Sequence, residues 1–115
     1  MVYYKIDKYM KLEEITRRIF SGEYEISFHA DKERRAEEIE INDIKEAIKN
    51  GEILEDYPND PRGPSCLVLG YARDGRAMHI VCALLPTDMI RIITVYIPSL
   101  PKWIDPRTRR KKEGE

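Results

Sequence analysis

The sequence predicts an α+β protein in which two to three N-terminal helices pack on one face of a four-stranded antiparallel sheet. Three observations predict it. Cys66–Ile97 divides into CLVLGYAR, RAMHIVCALL and MIRIITVYI, runs rich in Val, Ile, Leu, Thr and Tyr, separated by the turn signals DG and PTD. GEILEDYP adds one more strand, Glu52–Tyr57, before a proline-rich loop, PNDPRGPS. Upstream, apolar residues recur at helical spacing in separate short stretches.

The first helix is expected from about Lys8 to Phe20, with Leu12, Ile15 and Ile19 inward and Gly22 as its stop. Tyr24–Phe28 alternates and reads as a small strand or as the approach to the next helix. Ser27 can cap a second helix over about His29–Glu38, and Asn42 or Asp43 a third that ends at Gly51. Residues 1–103 are expected to form one domain, followed by a basic, flexible tail over 104–115 that contains RTRRKK. No apolar leader segment and no apolar run of about 20 residues is present, so a cytoplasmic protein without a membrane partner is expected.

The net charge of −1 conceals an asymmetry. Met1–Asp56 carries 10 basic and 15 acidic residues, whereas Lys102–Glu115 carries 6 basic and 3 acidic. The helical half is acidic, and the sheet with its tail is basic. A polyanion responds to that local field rather than to the total.

Pairing Arg73 with Arg76 across a two-residue DG turn assigns the faces of the meander. Leu67, Leu69, Tyr71, Met78, Ile80, Cys82 and Leu84 then form the core face. Cys66, Val68, Gly70, Ala72, Ala77, His79, Val81 and Ala83 form the other, and Cys66 and Cys82 fall on opposite sides, which excludes a disulfide between them. An even-length turn at Pro86–Met89 pairs Leu85 with Ile90 and sets Tyr96 beside His79 and Thr94 beside Val81. An odd-length turn would instead bring Arg91 to that face and turn Tyr96 inward.

His79, Tyr96 and nearby arginines are residue types that can cleave RNA. A 2′-hydroxyl must lose a proton, the phosphorane needs cationic or hydrogen-bond donors, and the leaving oxygen needs a proton. His79 is the candidate acid or base, with Tyr96 and His29 assisting. Arg62, Arg91, Thr94, Arg107, Arg109 and Arg110 are the candidate RNA-binding residues. Each has a plainer reading as well: a strand histidine bonded to Tyr96, ordinary strand formers, a rigid loop, a solvated tail. No metal is expected; the one set with ligand chemistry is His29 and Glu33 at helical spacing, with His79 as a third member.

Several segments together carry a resemblance: SFHA at 27–30, IEINDIKEAIKNGEILEDYP at 39–58, NDPRGPSCLVLGY at 59–71, DGRAMHIVCA at 74–83, and RIITVYIP at 91–98 with Trp103 following. In this order they resemble a family of small bacterial and archaeal proteins known as a domain of unknown function. That family is similar in architecture to RelE/ParE-like toxins. The resemblance implies a RelE-like fold and a metal-independent mRNA endoribonuclease, the toxin of a toxin–antitoxin pair, without a cofactor. It implies RNA or ribosome-bound mRNA as substrate and a small zinc-finger or helix-turn-helix antitoxin as partner. It carries onto His29, His79, Thr94, Tyr96 and the loop Asp60–Ser65. It departs at Glu33 and Glu37, four and eight residues after His29, where toxin-like relatives carry arginines. That departure supports an alternative, a non-catalytic binding module that acts through a protein partner. Homodimer formation through an edge strand, Glu52–Tyr57 or Met89–Ile97, is a further expectation.

Overall fold

The structure, a computed structural model, describes residues 10–111. Three helices, α1 (Leu12–Phe20), α2 (Phe28–Ala36) and α3 (Ile41–Lys49), cover one face of a mixed five-stranded sheet. The strands are β1 (Tyr24–Ile26), β2 (Glu52–Tyr57), β3 (Ser65–Tyr71), β4 (Ala77–Leu84) and β5 (Ile90–Tyr96), in the order β1-β5-β4-β3-β2. The α+β class is as predicted, but the four-stranded antiparallel sheet is not. Tyr24–Ile26 joins β5 in parallel and makes a fifth strand. Only β2, of the two segments expected at an edge, lies at one; β5 is covered by β1. No helix among the described residues is long and apolar enough to cross a membrane.

The helices begin where local chemistry satisfies their free N–H groups. Ser27 caps α2 as predicted: its Oγ accepts from the Ala30 N–H at 3.0 Å and donates to the Ile93 carbonyl at 2.8 Å, tying the helix start to β5. The cap of α3 is Glu40, not Asn42 or Asp43. Asp43 sits one turn in and accepts the Glu40 N–H at 3.0 Å. It also accepts from Arg73 Nε at 3.0 Å, while Arg73 Nη2 reaches Glu40 at 2.9 Å.

Those contacts take Arg73 out of the β3–β4 ladder. The hairpin closes at Ala72 and Arg76, with Arg73, Asp74 and Gly75 in the turn and Gly75 at φ +91°. The predicted two-residue turn is therefore one residue too short, and every side chain of β3 changes face. Cys66, Val68 and Gly70 face the helices, and Leu67, Leu69 and Tyr71 face away. A steric requirement fixes this choice: a Cβ on Gly70 would lie 1.9 Å from the Ala47 carbonyl oxygen of α3. The helix can approach the sheet only where β3 has no side chain.

The same shift places Cys66 directly opposite Cys82 on the helix-facing side, correcting the expectation that they lie on opposite faces. Both are free and buried, and burial pushes the Cys66 thiol up to about 12.

The β4–β5 turn is odd in length. Leu85 pairs with Met89, and Asp88 takes φ +66°. Near the turn Ala83 therefore faces Arg91. A bulge then inserts an extra residue in β5 between Ile92 and Thr94, and beyond it Val81 faces Thr94 and His79 faces Tyr96. Arg91, Thr94 and Tyr96 thus share the face with His79, where the sequence offered Arg91 or Tyr96 as alternatives.

The core lies between the helices and this sheet: Ile15 and Ile19 from α1, Ile44, Ala47 and Ile48 from α3, against Val68, Met78, Ile80, Ile92 and Val95. Each large aliphatic side chain buried here is worth roughly 1.5–3 kcal/mol. Gly70→Ala is expected to cost about 3 kcal/mol or more, because the clash is with backbone that cannot rotate away. Gly75→Ala, strained only by its φ, is expected to cost about 1 kcal/mol. Urea unfolding midpoints of the two variants check the order.

Candidate functional site

On the face away from the helices, three rungs cross the sheet. One joins Glu52, Leu69, His79 and Tyr96; the next joins Glu55, Leu67, Val81 and Thr94; the last joins Tyr57, Ser65, Ala83, Arg91 and Glu25. This is not the shallow floor of small residues that the two-residue turn predicted, since Leu67 and Leu69 now belong to it. Nor is it open. Beyond Pro98 the chain turns back as a two-stranded ribbon, β6 (Trp103–Asp105) and β7 (Thr108–Arg109). Part of the stretch expected as a flexible tail, as far as Arg109, forms this ribbon against the sheet.

The ribbon is held at three places. Trp103 packs its ring edge-on against His79 at 4.3 Å. Arg109 makes a bidentate pair with Glu55, 2.7 Å for each bond, and lies 4.6 Å above the Trp103 ring. Arg107 pairs with Glu52. The Arg109 guanidinium holds the Glu55 carboxyl below its ordinary range. Burial, with the hydrogen bond to Glu55, pushes the Tyr57 hydroxyl up to about 12.

His79 is consequently sealed, with no exposed surface. Its Nε2 lies 2.6 Å from the Pro106 carbonyl oxygen and its Nδ1 lies 3.0 Å from the Tyr96 hydroxyl. A carbonyl can only accept, so Nε2 carries the proton and Nδ1 accepts from Tyr96. Desolvation lowers the His79 pKa, against the opposing influence of the Pro106 carbonyl and Glu55. A neutral imidazole that orients Tyr96 follows. The Trp103 indole N–H is buried without a hydrogen-bond partner.

Tyr96 reaches the surface on its other side. With Glu33, Ile97, Ser99, Leu100, Pro101, Lys102 and Trp103 it lines an open depression of about 380 Å³. Glu33 projects from α2 and is fixed by β5: its Oε1 accepts from the Thr94 hydroxyl and from the Val95 N–H at 3.1 Å. His29 Nε2 lies 3.3 Å from the same oxygen, and the imidazole is 70% exposed. Glu33 therefore carries His29 on one oxygen and lines the depression beside Tyr96, while His79 stands behind Tyr96.

The candidate RNA-binding residues divide. Arg62 folds back on Asp60 through Nε at 3.1 Å and Nη2 at 2.8 Å, and this pairing holds the Asp60 carboxyl far below its ordinary range. Arg91 pairs with Glu25 at 2.8 Å, and Arg107 and Arg109 clamp the ribbon. Thr94 is committed to Glu33. Arg110 is the one of the predicted arginines that makes no ion pair among the described residues; its N–H bonds the Lys102 carbonyl at 2.8 Å. Lys102 was missed as a site residue, and Glu33 entered only as a possible metal ligand and as a departure from the toxin pattern. The SLPKW stretch signalled Lys102, which neighbours the anchoring Trp103, and Glu33 was signalled by its helical spacing from His29. The set of His29, Glu33 and His79 is not assembled, and no cluster of three metal-ligating side chains occurs among the described residues.

A family model described as a domain of unknown function (DUF4258) matches residues 26–97, well over half of the chain, and the protein belongs to that family. The match runs from the last residue of β1 through β5 and stops short of the ribbon that covers His79. No curated protein and no solved structure matches the chain.

Two outcomes follow from the sealed histidine. Trp103→Ala is expected to destabilise by roughly 3–5 kcal/mol and to open His79 to solvent, which amide exchange on β4 and diethyl pyrocarbonate labelling will read. Because the folded pKa of His79 lies below the unfolded value of about 6.5, its contribution is full above that pH and is lost as the pH falls, when the unfolded chain takes up a proton first. Thermal unfolding at pH 7.5 and 5.5 is expected to show a drop in Tm that His79→Gln lacks, in a range above that in which the carboxylates titrate.

Proposed function

We propose that this protein is a metal-independent endoribonuclease of RelE-like architecture, the toxin of a toxin–antitoxin pair, acting at the depression between α2 and the ribbon. One observation carries the reading: Glu33, which holds the exposed His29, lines one open depression together with Tyr96 and Lys102. His29 is the acid–base group, since its exposed imidazole offers one donor and one acceptor nitrogen and is held by Glu33. Tyr96, whose hydroxyl donates to His79 behind it, accepts from the 2′-hydroxyl. Lys102 lines the same depression, and Arg110 is attached to it through the backbone, so both supply charge to the RNA backbone. Arg62 is held by the buried carboxylate of Asp60 and Arg109 by two bonds to Glu55, whereas the Arg91–Glu25 pair is exposed on both sides, is worth only about 0–1 kcal/mol, and yields to a phosphate. His79 thus moves from the catalytic to a positioning role.

The second reading, a non-catalytic binding module that acts through a protein partner, is favoured by the sealing of His79 and by those same internal ion pairs. Cleavage of RNA, free and ribosome-bound, in the presence of EDTA separates the two. The nuclease reading expects cleavage by the wild type, a loss of about 100-fold or more in His29→Ala and Tyr96→Phe, and growth arrest on induction that depends on His29. Absence of cleavage on every RNA, with no His29-dependent arrest, leaves the binding module.

A further inference from the structure

We propose that the depression selects a guanine base, held through Glu33 Oε2; the proposal rests on the reading of RNA as the substrate. The carboxylate of Glu33 is unequally used. Oε1 takes three neighbours: the Thr94 hydroxyl, the Val95 N–H at 3.1 Å and His29 Nε2 at 3.3 Å. These fix the group from β5 and α2 together. Oε2 accepts no hydrogen bond from the described residues and is not buried. Because Oε1 is anchored from both elements, Oε2 remains a free acceptor on a residue that lines the depression.

That acceptor discriminates by what stands beside each donor on the edge of a base. Guanine offers two neighbouring donors, N1–H and the N2 amino group, with no lone pair between them. In adenine and cytosine the amino group is flanked by a ring nitrogen whose lone pair would oppose the carboxylate. In uracil the single N–H lies between two carbonyls. A site that demands a donor rejects an edge that presents an acceptor by a large factor, since the mismatch leaves polar groups unpaired. The remaining walls fit a flat ring. Tyr96, Pro101, Leu100 and Ile97 are apolar surface, and Lys102 supplies a cation for the guanine carbonyl or for an adjoining phosphate. A volume of about 380 Å³ lies within the range of small-molecule sites. The carboxylate of Glu33 thus becomes a specificity element.

The test is titration of the full chain with GMP, AMP, CMP and UMP, followed by NMR at the indole N–H of the single tryptophan, Trp103, and at the Val95 amide. GMP is expected to bind about tenfold or more tightly than the others. Glu33→Gln keeps an oxygen toward Thr94 and Val95 and replaces Oε2 by an amino donor. It is expected to remove the guanine preference while leaving the Tm nearly unchanged. Leu100→Arg, at an exposed rim position, sets a competing donor beside Oε2 and is expected to do the same without touching the core. Equal binding of the four nucleotides, binding of none, or a preference that survives both substitutions overturns the proposal. Guanine binding without cleavage of any RNA removes the nuclease reading and keeps the pocket. Cleavage with no guanine preference in binding or at the cut sites removes the pocket and keeps the nuclease.

Discussion

The approach of α3 to Gly70 sets the rest of the molecule. With the Ala47 carbonyl where a side chain would begin, β3 has only one face it can turn to the helices. From that one constraint follow the three-residue hairpin, the placing of Cys66 beside Cys82 in the core, and the turning of Leu67 and Leu69 to the far side. The far side is then too apolar to stand open to water. The ribbon of Trp103–Arg109 answers this, covering Leu67, Leu69 and His79 with a tryptophan and two arginine–carboxylate clamps. Sealing His79 in turn makes it neutral and turns it into the support of Tyr96.

The site is therefore a composite of both faces of the fold. Tyr96 belongs to the sheet, Glu33 and His29 to α2, and Lys102 to the segment that leads into the ribbon. Glu33 joins the layers: it hangs from a helix but is hydrogen-bonded by a strand. Such a carboxylate serves packing through one oxygen and stays free for chemistry through the other. The arginines illustrate the opposite case. RTRRKK reads as a charge run available to a polyanion, yet Arg107 and Arg109 are spent holding the ribbon to β2, and the cations left beside the depression are Lys102 and Arg110.

Much of this could be read along the chain. Helices at Ile15 and Ile19 and at Ile44 and Ile48, the Ser27 cap, the β2 strand, the three strands of the meander and the pairing of His79 with Tyr96 all follow from periodicity, capping chemistry and turn signals. The last came out for a reason the sequence does not display. An odd turn at Pro86–Asp88 shifted β5 by one residue, and the bulge at Ile93 shifted it back. The β3 faces were misread because DG was taken as a complete two-residue turn. Gly70 within an otherwise apolar strand was the available signal of close backbone approach. The parallel pairing of the three residues of β1, and the ribbon over His79, had no local signature: neither is stable by itself, and each exists because an exposed sheet edge or face was there to receive it.

By itself the sequence determined the class of fold, the order of the elements and the list of residues with chemistry to offer, because those depend on spacing along one chain. The tertiary structure decided which of them can act. It turned β3 over to let a helix approach, buried His79 behind Tyr96, paired most of the arginines, and brought Glu33, Tyr96 and Lys102 to one depression. Those outcomes depend on distances between segments far apart in the chain. No local pattern encodes them, since each is set by how two surfaces meet.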